Sequence, residues 1–224
     1  MNLSEKNIEA LREIISGEGL RVAVLSHSNP DGDALGSSIA WKMALRRLGH
    51  HVEAIVPNAY PYYLEWIPEV KDVIIYRDEA ERAEKILGEA DVIFCLDFHT
   101  LSRLDSLGDV VAANTSAKRV LVDHHLNPSE TFDVMFSYPE ASSTSYLVYC
   151  LIEQLWGVES ITRYQAEALY VGMMTTRVTS HSRHSHPTCS ALWLTSPRQV
   201  STYHASTTTY TTPSPRDVHA CSAM

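Results

Sequence analysis

The chain alternates between unbroken apolar runs of strand length and apolar positions at helical spacing. Ile8, Leu11, Ile14 and Ile15 follow Ser4 on one face, predicting a helix that Gly17 or Gly19 ends. Arg21-Val-Ala-Val-Leu-Ser26 is a valine-rich run of strand length. His27-Ser-Asn-Pro30 stops it, because proline has no N–H to donate to a sheet ladder. Leu35, Ile39, Met43 and Leu48 then restore a helical spacing over 34–48, closed by Gly49. Further strands are predicted at His51–Val56, Asp72–Tyr76, Asp91–Asp97 and Arg119–Val122, with a charged helix from Glu79 to Gly88 whose ions read as a solvated face. Tyr60 to Trp66 is aromatic and bounded by proline; it reads as a short helix packed on the sheet, with substrate stacking as the alternative. Ala141-Ser-Ser-Thr144 opens an apolar helix to Trp156, and Thr162-Arg-Tyr-Gln165 is a capping box ahead of a helical stretch from Ala166 to Met174. Near-continuous apolar strands belong to sheets covered on both faces. The expectation is an α/β fold: a mainly parallel sheet of about five strands with helices on both faces.

The polar residues that end these runs carry the candidate chemistry. One strand stops at His27, followed by Asp31 and Asp33; another stops at Asp97; a third runs into Asp123, His124 and His125. In an open parallel sheet all three ends lie on one edge, where ligands bind. An isolated Asp-x-Asp is as often a helix cap, and an isolated His-His pair is often a surface accident. Three such clusters at three strand ends point instead to a site for a hard-to-borderline divalent ion such as Mn²⁺.

Composition narrows the picture. At 224 residues and 45% hydrophobic, the chain supports one large domain, or a domain and a half, with a substantial core. A net charge of −9 announces no basic patch, so long nucleic acid is not an expected partner. No apolar run is long enough to span a membrane, and the N-terminus lacks the pattern of a signal peptide. Cys95, Cys150, Cys189 and Cys221 have no metal spacing and suit a reducing, cytoplasmic setting. Homo-oligomerisation is left open.

The joint pattern resembles the DHH phosphoesterase superfamily over about residues 4–175. His27-Ser-Asn-Pro-Asp-Gly-Asp33 looks like its first motif, Asp97 its second and Asp123-His124-His125 its third; Ala141-Ser-Ser-Thr144 is also similar. Within the superfamily the chain is most similar to the short bacterial oligoribonuclease and pAp phosphatase (NrnA-like) branch, which hydrolyses very short RNA and 3′-phosphoadenosine 5′-phosphate with two Mn²⁺ ions. The resemblance implies that His27 and Asp31 hold one ion, Asp33 and His124 the other, and that Asp97 bridges both. It further implies that His125 faces the substrate phosphate and that Asp123 orients its neighbours. Arg103 and Ser142, Ser143 and Thr144 are candidate phosphate contacts, Arg103 being equally well read as a solvated surface residue. A manganese inorganic pyrophosphatase, which shares the first three motifs, is the alternative enzyme; a non-catalytic remnant that binds metal or nucleotide is the alternative of another class.

The family's fourth motif, Asp-Thr-Gly, should place a further metal-binding aspartate near position 176. The chain reads Thr175-Thr176-Arg177-Val178-Thr179-Ser180 instead, and its character changes there. Residues 176–224 are rich in serine and threonine, lack lysine and hold one acidic residue, Asp217. A DHH domain is therefore expected over 1–175. Residues 176–224 are expected to be a disordered, non-family tail translated out of frame, with the second, substrate-binding domain missing. His181, His184 and His186 sit in that serine-rich context and are not assigned to a site.

Overall fold

The computed structural model describes residues 1–129 and 131–179. Expectations for residues 180–224, the tail histidines included, lie outside the described residues. Six parallel strands form one sheet: β1 (Arg21–Ser26), β2 (His51–Val56), β3 (Ile74–Ile75), β4 (Val92–Leu96), β5 (Lys118–Asp123) and β6 (Val134–Ser137). Their spatial order is β3-β2-β1-β4-β5-β6. Helices α1 (Glu5–Ile14), α2 (Gly32–Arg46), α5 (Thr144–Trp156) and α6 (Arg163–Thr179) contribute to the core on one face. Helices α3 (Ala80–Glu89) and α4 (Leu107–Ala113) contribute to the core on the other.

Two-sided burial explains the unbroken apolar strands. Along β1, Val22 and Val24 join the first core while Ala23 and Leu25 join the second. In β4, Val92, Phe94 and Leu96 face one way and Ile93 and Cys95 the other. Side chains on a strand alternate between faces, so a strand covered on both needs apolar residues at every position. Cys95 behaves as a small hydrophobe, its thiol pushed up to about 12 by burial.

The sheet has six strands, not about five. The missed strand, β6, is a four-residue edge strand with half-buried positions between buried ones, too short to stand out as a run. At the opposite edge, β3 is shorter than the predicted Asp72–Tyr76, because Val70–Asp72 closes a 3-10 turn. Helix α4 was not anticipated. Leu48 lies beyond α2 and is exposed rather than packed. Ser4 precedes α1 without a side-chain cap; its N–H instead donates to the Tyr138 hydroxyl. The capping box forms as expected: the Thr162 N–H donates to Gln165 Oε1 at 2.9 Å and the Gln165 N–H to Thr162 Oγ1 at 3.3 Å. Helix α6 continues to Thr179, past the residue where helical character was expected to end.

Helices α2 and α6 run antiparallel at very close range, from Gly32 against Thr175 to Ala40 against Gln165. Three glycines make this approach possible. A Cβ on Gly32 would collide with the Thr175 side chain, one on Gly36 with the Ala168 carbonyl oxygen, and one on Gly172 with the Ser145 hydroxyl. Lys42, in α2, is fully buried, a placement its helical position alone does not predict; its ammonium lies 3.3 Å from Glu69 and 4.0 Å from Asp72.

Candidate metal centre

The strand order creates a switch point between β1 and β4. From β1 the chain moves outward to β2 and β3, then returns to build β4, β5 and β6 on the other side. Loops leaving β1 and β4 therefore diverge, opening a crevice at the carboxyl edge where open α/β sheets bind ligands. His27 enters it from β1 and Asp97 from β4, with 3.5 Å between His27 Nε2 and Asp97 Oδ2.

Each side chain is held by its local structure. Asp31 is the N-cap of α2; its Oδ1 accepts the N–H groups of Asp33 at 2.9 Å and Ala34 at 3.1 Å. Suitable ligand atoms of His27, Asp31 and Asp97 all lie within 4.8 Å of one another. Asp97 has a left-handed backbone with φ of 65°. That conformation costs a non-glycine residue about 1–2 kcal/mol, and aspartate is among the few that visit it. Its neighbours hold it there: its N–H donates to the Val122 carbonyl at 3.1 Å, and Oδ1 accepts the Thr144 hydroxyl at 2.8 Å.

Asp33 is buried at the start of α5, more than a hundred residues away in sequence. Its Oδ2 accepts the Thr144 N–H and its Oδ1 the Ser145 N–H, both at 2.8 Å. Two backbone donors at a helix N-terminus suit a carboxylate. Burial, then the charge of Asp97, nevertheless pushes the Asp33 carboxyl up to about 8. His124 Nε2 lies 3.6 Å from Asp97 Oδ1 and 3.9 Å from Asp33 Oδ2.

Backbone carbonyls set the imidazole tautomers. His27 Nδ1 lies 2.8 Å from the Ser28 carbonyl and His124 Nδ1 3.3 Å from the Ala141 carbonyl. A carbonyl only accepts, so in each neutral ring the proton sits on Nδ1 and the Nε2 lone pair faces the carboxylates. Burial draws His27 toward the neutral form, but its contact with Asp97 prevails and raises its pKa. His125 Nδ1 pairs at 2.7 Å with Oδ1 of the fully buried Asp123, which raises the His125 pKa.

The donor set suits a divalent cation. Two buried carboxylates face each other and are met by imidazoles rather than by lysine or arginine, so a dication would remove their mutual repulsion.

The remaining sequence candidates separate. Thr144 is buried with its hydroxyl on Asp97, and Ser143 is buried as the N-cap of α5, accepting the Tyr146 N–H at 3.0 Å. Ser142 is half-buried. Arg103 is exposed on the 3-10 turn Leu101–Leu104, and its carbonyl accepts the Ser28 N–H at 2.8 Å, tying that turn to the first loop. Sequence reasoning missed His99, whose ring stands 5.8 Å from that of His125; with Asp123 and His125 it forms a further cluster of possible ligands. The signal for it was its place two residues beyond Asp97.

The N-terminal domain of the DHH family matches residues 21–173, from the first strand through most of α6. The chain belongs to the DHH family. An exopolyphosphatase-related protein from Bacteroides fragilis is similar in structure, with a TM-score of 0.81 and 35% identity over 86% of this chain. This DHH-family chain is also 27% identical over 162 residues, 67% of its length, to a membrane protein–large ribosomal subunit bL9 fusion protein of Aster yellows witches'-broom phytoplasma. A probable manganese-dependent inorganic pyrophosphatase of Enterococcus faecalis is 24% identical over 172 residues, or 75% of the chain. The chain spans 56% of the Bacteroides protein, 51% of the Enterococcus protein and 19% of the phytoplasma protein. Among the described residues, no helix is long and apolar enough to cross a membrane.

Proposed function

We propose that this DHH-family chain carries the metal centre of a Mn²⁺-dependent phosphoesterase acting on short oligoribonucleotides or on pAp. The observation that supports this most directly is the grouping around Asp97. His27 and Asp31 gather on one side of it, and Asp33 and His124 approach it on the other. On this reading His27, Asp31 and Asp97 hold one ion, and Asp33, Asp97 and His124 the second. Bound Mn²⁺ would polarise phosphoryl oxygens and make water a competent nucleophile near neutral pH. The side chains do the rest. His125, steadied by Asp123, presents Nε2 to the phosphate. Arg103, which has no ion-pair partner among the described residues, adds a second positive contact, and Ser142 a hydroxyl contact.

The second ion is held less well. Thr176 occupies the position where the family resemblance calls for an aspartate, and its hydroxyl donates to the Gly172 carbonyl at 3.0 Å. A neutral hydroxyl does not offset a dication's charge, so this chain should turn over slowly compared with a family member that carries the aspartate. The domain reading is proposed in the same terms: a DHH domain over 1–175, a non-family tail over 176–224, and a cytoplasmic setting.

One observation favours a second reading. Similarity to the Enterococcus pyrophosphatase extends over 75% of the chain, which supports a phosphoanhydride substrate. Assaying pAp, the dinucleotide pApA and pyrophosphate side by side with Mn²⁺ separates the readings. The first expects nucleotide hydrolysis to exceed pyrophosphate hydrolysis, and the reverse order would install the second. Mn²⁺ binding with turnover of none of them would make the chain a metal-binding remnant.

A further inference from the structure

In the segment after β2, Tyr60 packs against the core but the rings of Tyr62, Tyr63 and Trp66 do not. Leu64, Ile67 and Val70 are the buried anchors, each 1–2% exposed. Tyr62, Tyr63 and Trp66 fall on the opposite side and are 82%, 56% and 63% exposed. Three large rings on one turn is an unusual concentration of exposed apolar surface, the kind that marks a binding site.

The turn is rigid. The Leu64 N–H donates to the Pro61 carbonyl at 3.0 Å, Glu65 to Tyr62 at 3.1 Å, Ile67 to Leu64 at 3.0 Å and Val70 to Ile67 at 3.2 Å. The Tyr60 hydroxyl closes the segment by donating to the Val70 carbonyl at 3.2 Å. A backbone ordered before a ligand arrives loses little freedom on binding it.

The turn is also fastened to the metal centre. β2 is the neighbour of β1, so the loops leaving them are adjacent. Asn58 and Asn29 clamp those loops together: the Asn29 N–H donates to Asn58 Oδ1 at 2.6 Å and Asn58 Nδ2 to Asn29 Oδ1 at 2.9 Å. Asn29 lies between His27 and Asp31 and takes a left-handed backbone to make this contact. Tyr62 follows Asn58 by four residues, so its backbone lies within about 14 Å of the clamp.

From these placements we infer that Tyr62, Tyr63 and Trp66 form a stacking platform for the bases of an oligonucleotide whose phosphate is held at the metal centre. The inference rests on the nucleotide reading proposed above and names the part of the chain that recognises the base. Stacking suits the chemistry, because every base has a π-face and aromatic side chains receive it without regard to sequence. Tyr62 and Tyr63 stand edge to face, 6.0 Å between ring centroids, which leaves ring surface facing outward. Glu65, exposed between the rings, disfavours phosphate there. Bases therefore belong on the rings, and phosphates belong at the cations.

Equilibrium titration of the full chain in Mn²⁺ tests this, using pApA and a base-free sugar-phosphate dinucleotide of equal charge. For the triple variant Tyr62→Ala, Tyr63→Ala, Trp66→Ala, affinity for pApA should fall about 5- to 150-fold, as alanine substitution of a stacking ring does. Affinity for the base-free ligand should stay within about twofold of wild type, and the Tyr62→Phe, Tyr63→Phe, Trp66→Phe variant should recover most of the loss. Equal loss for both ligands, or no loss for pApA, would overturn the platform while leaving the nucleotide reading intact. Wild-type protein that binds Mn²⁺ but not pApA would overturn the nucleotide reading itself. A concentration-dependent dimer that the triple alanine variant abolishes would assign the face to a second copy of the chain and also overturn the platform.

Discussion

The seam between α2 and α6 allows the same substitution to be tested with opposite expected signs at two glycines. At Gly36 a methyl would stand 3.1 Å from the Gly172 nitrogen and 3.3 Å from the Ala168 carbonyl carbon, with the Ala168 oxygen closer still. All three atoms are backbone, so no side chain can swing aside and α6 must move. Overpacking of this kind costs about 1–3 kcal/mol, and the gain in helix propensity from Gly to Ala returns at most about 1 kcal/mol. The close approach to the Ala168 backbone oxygen puts the cost in the upper part of that range, so Gly36→Ala should lose about 1–2 kcal/mol net, or roughly 2–8 °C in Tm for a domain of this size. Gly88 is also helical, near the end of α3, yet a methyl there meets nothing within 4 Å. Gly88→Ala should gain about 0.5–1 kcal/mol. Thermal and urea unfolding of both variants in EDTA measures the contrast. Because Gly172 of α6 abuts the Asp33 carboxylate, Gly36→Ala should also weaken Mn²⁺ binding, whereas Gly88→Ala should not. A Gly36→Ala protein as stable as wild type, or two variants shifting in the same direction, would refute the packing argument.

Three further outcomes are expected. Asp97→Asn should fold, since asparagine also tolerates a left-handed backbone, yet lose at least about 10-fold in Mn²⁺ affinity, read by titration calorimetry; Asp97→Ala should lose as much and also melt lower, by about 1 kcal/mol. Metal-free protein should become less stable as pH rises from about 4 to about 8, because the unfolded chain releases the Asp33 proton first, with a slope of up to about 1.4 kcal/mol per pH unit. His27 and His125, raised above the ordinary imidazole value, add the same sign from about pH 6.5 upward, and Mn²⁺ must displace the protons of its proposed ligands Asp33 and His27. The rise in Tm on adding Mn²⁺ should therefore grow between about pH 6 and pH 8, and a flat profile would contradict the arrangement of charges. Finally, Thr176→Asp should raise the number of Mn²⁺ ions bound per chain from one toward two and increase phosphoesterase turnover; unchanged stoichiometry would mean that position 176 is not a ligand site.

Much of this arrangement is legible in the sequence, for identifiable physical reasons. A strand covered on both faces must be apolar at every position, so β1, β4 and β5 stand out as runs, and the polar residues that end them mark the sheet's carboxyl edge. Local pattern alone therefore singles out His27, Asp31, Asp33, Asp97, Asp123, His124 and His125. The capping box at Thr162 and Gln165 is equally local. Edge strands are harder: β6 is short with half-buried positions, and β3 gives way to a turn, so neither carries the two-sided signal. What only the tertiary structure decided involves residues far apart in sequence. Strand order put the switch point between β1 and β4 and so brought His27 to Asp97. The N-terminus of α5 caged Asp33, and the glycine seam fixed where α6 passes. Aromatic composition at 60–66 favoured packing, but Leu64, Ile67 and Val70 took the buried side and turned Tyr62, Tyr63 and Trp66 outward. Local pattern reports which residues seek burial; which of them obtain it depends on the surfaces that distant segments present.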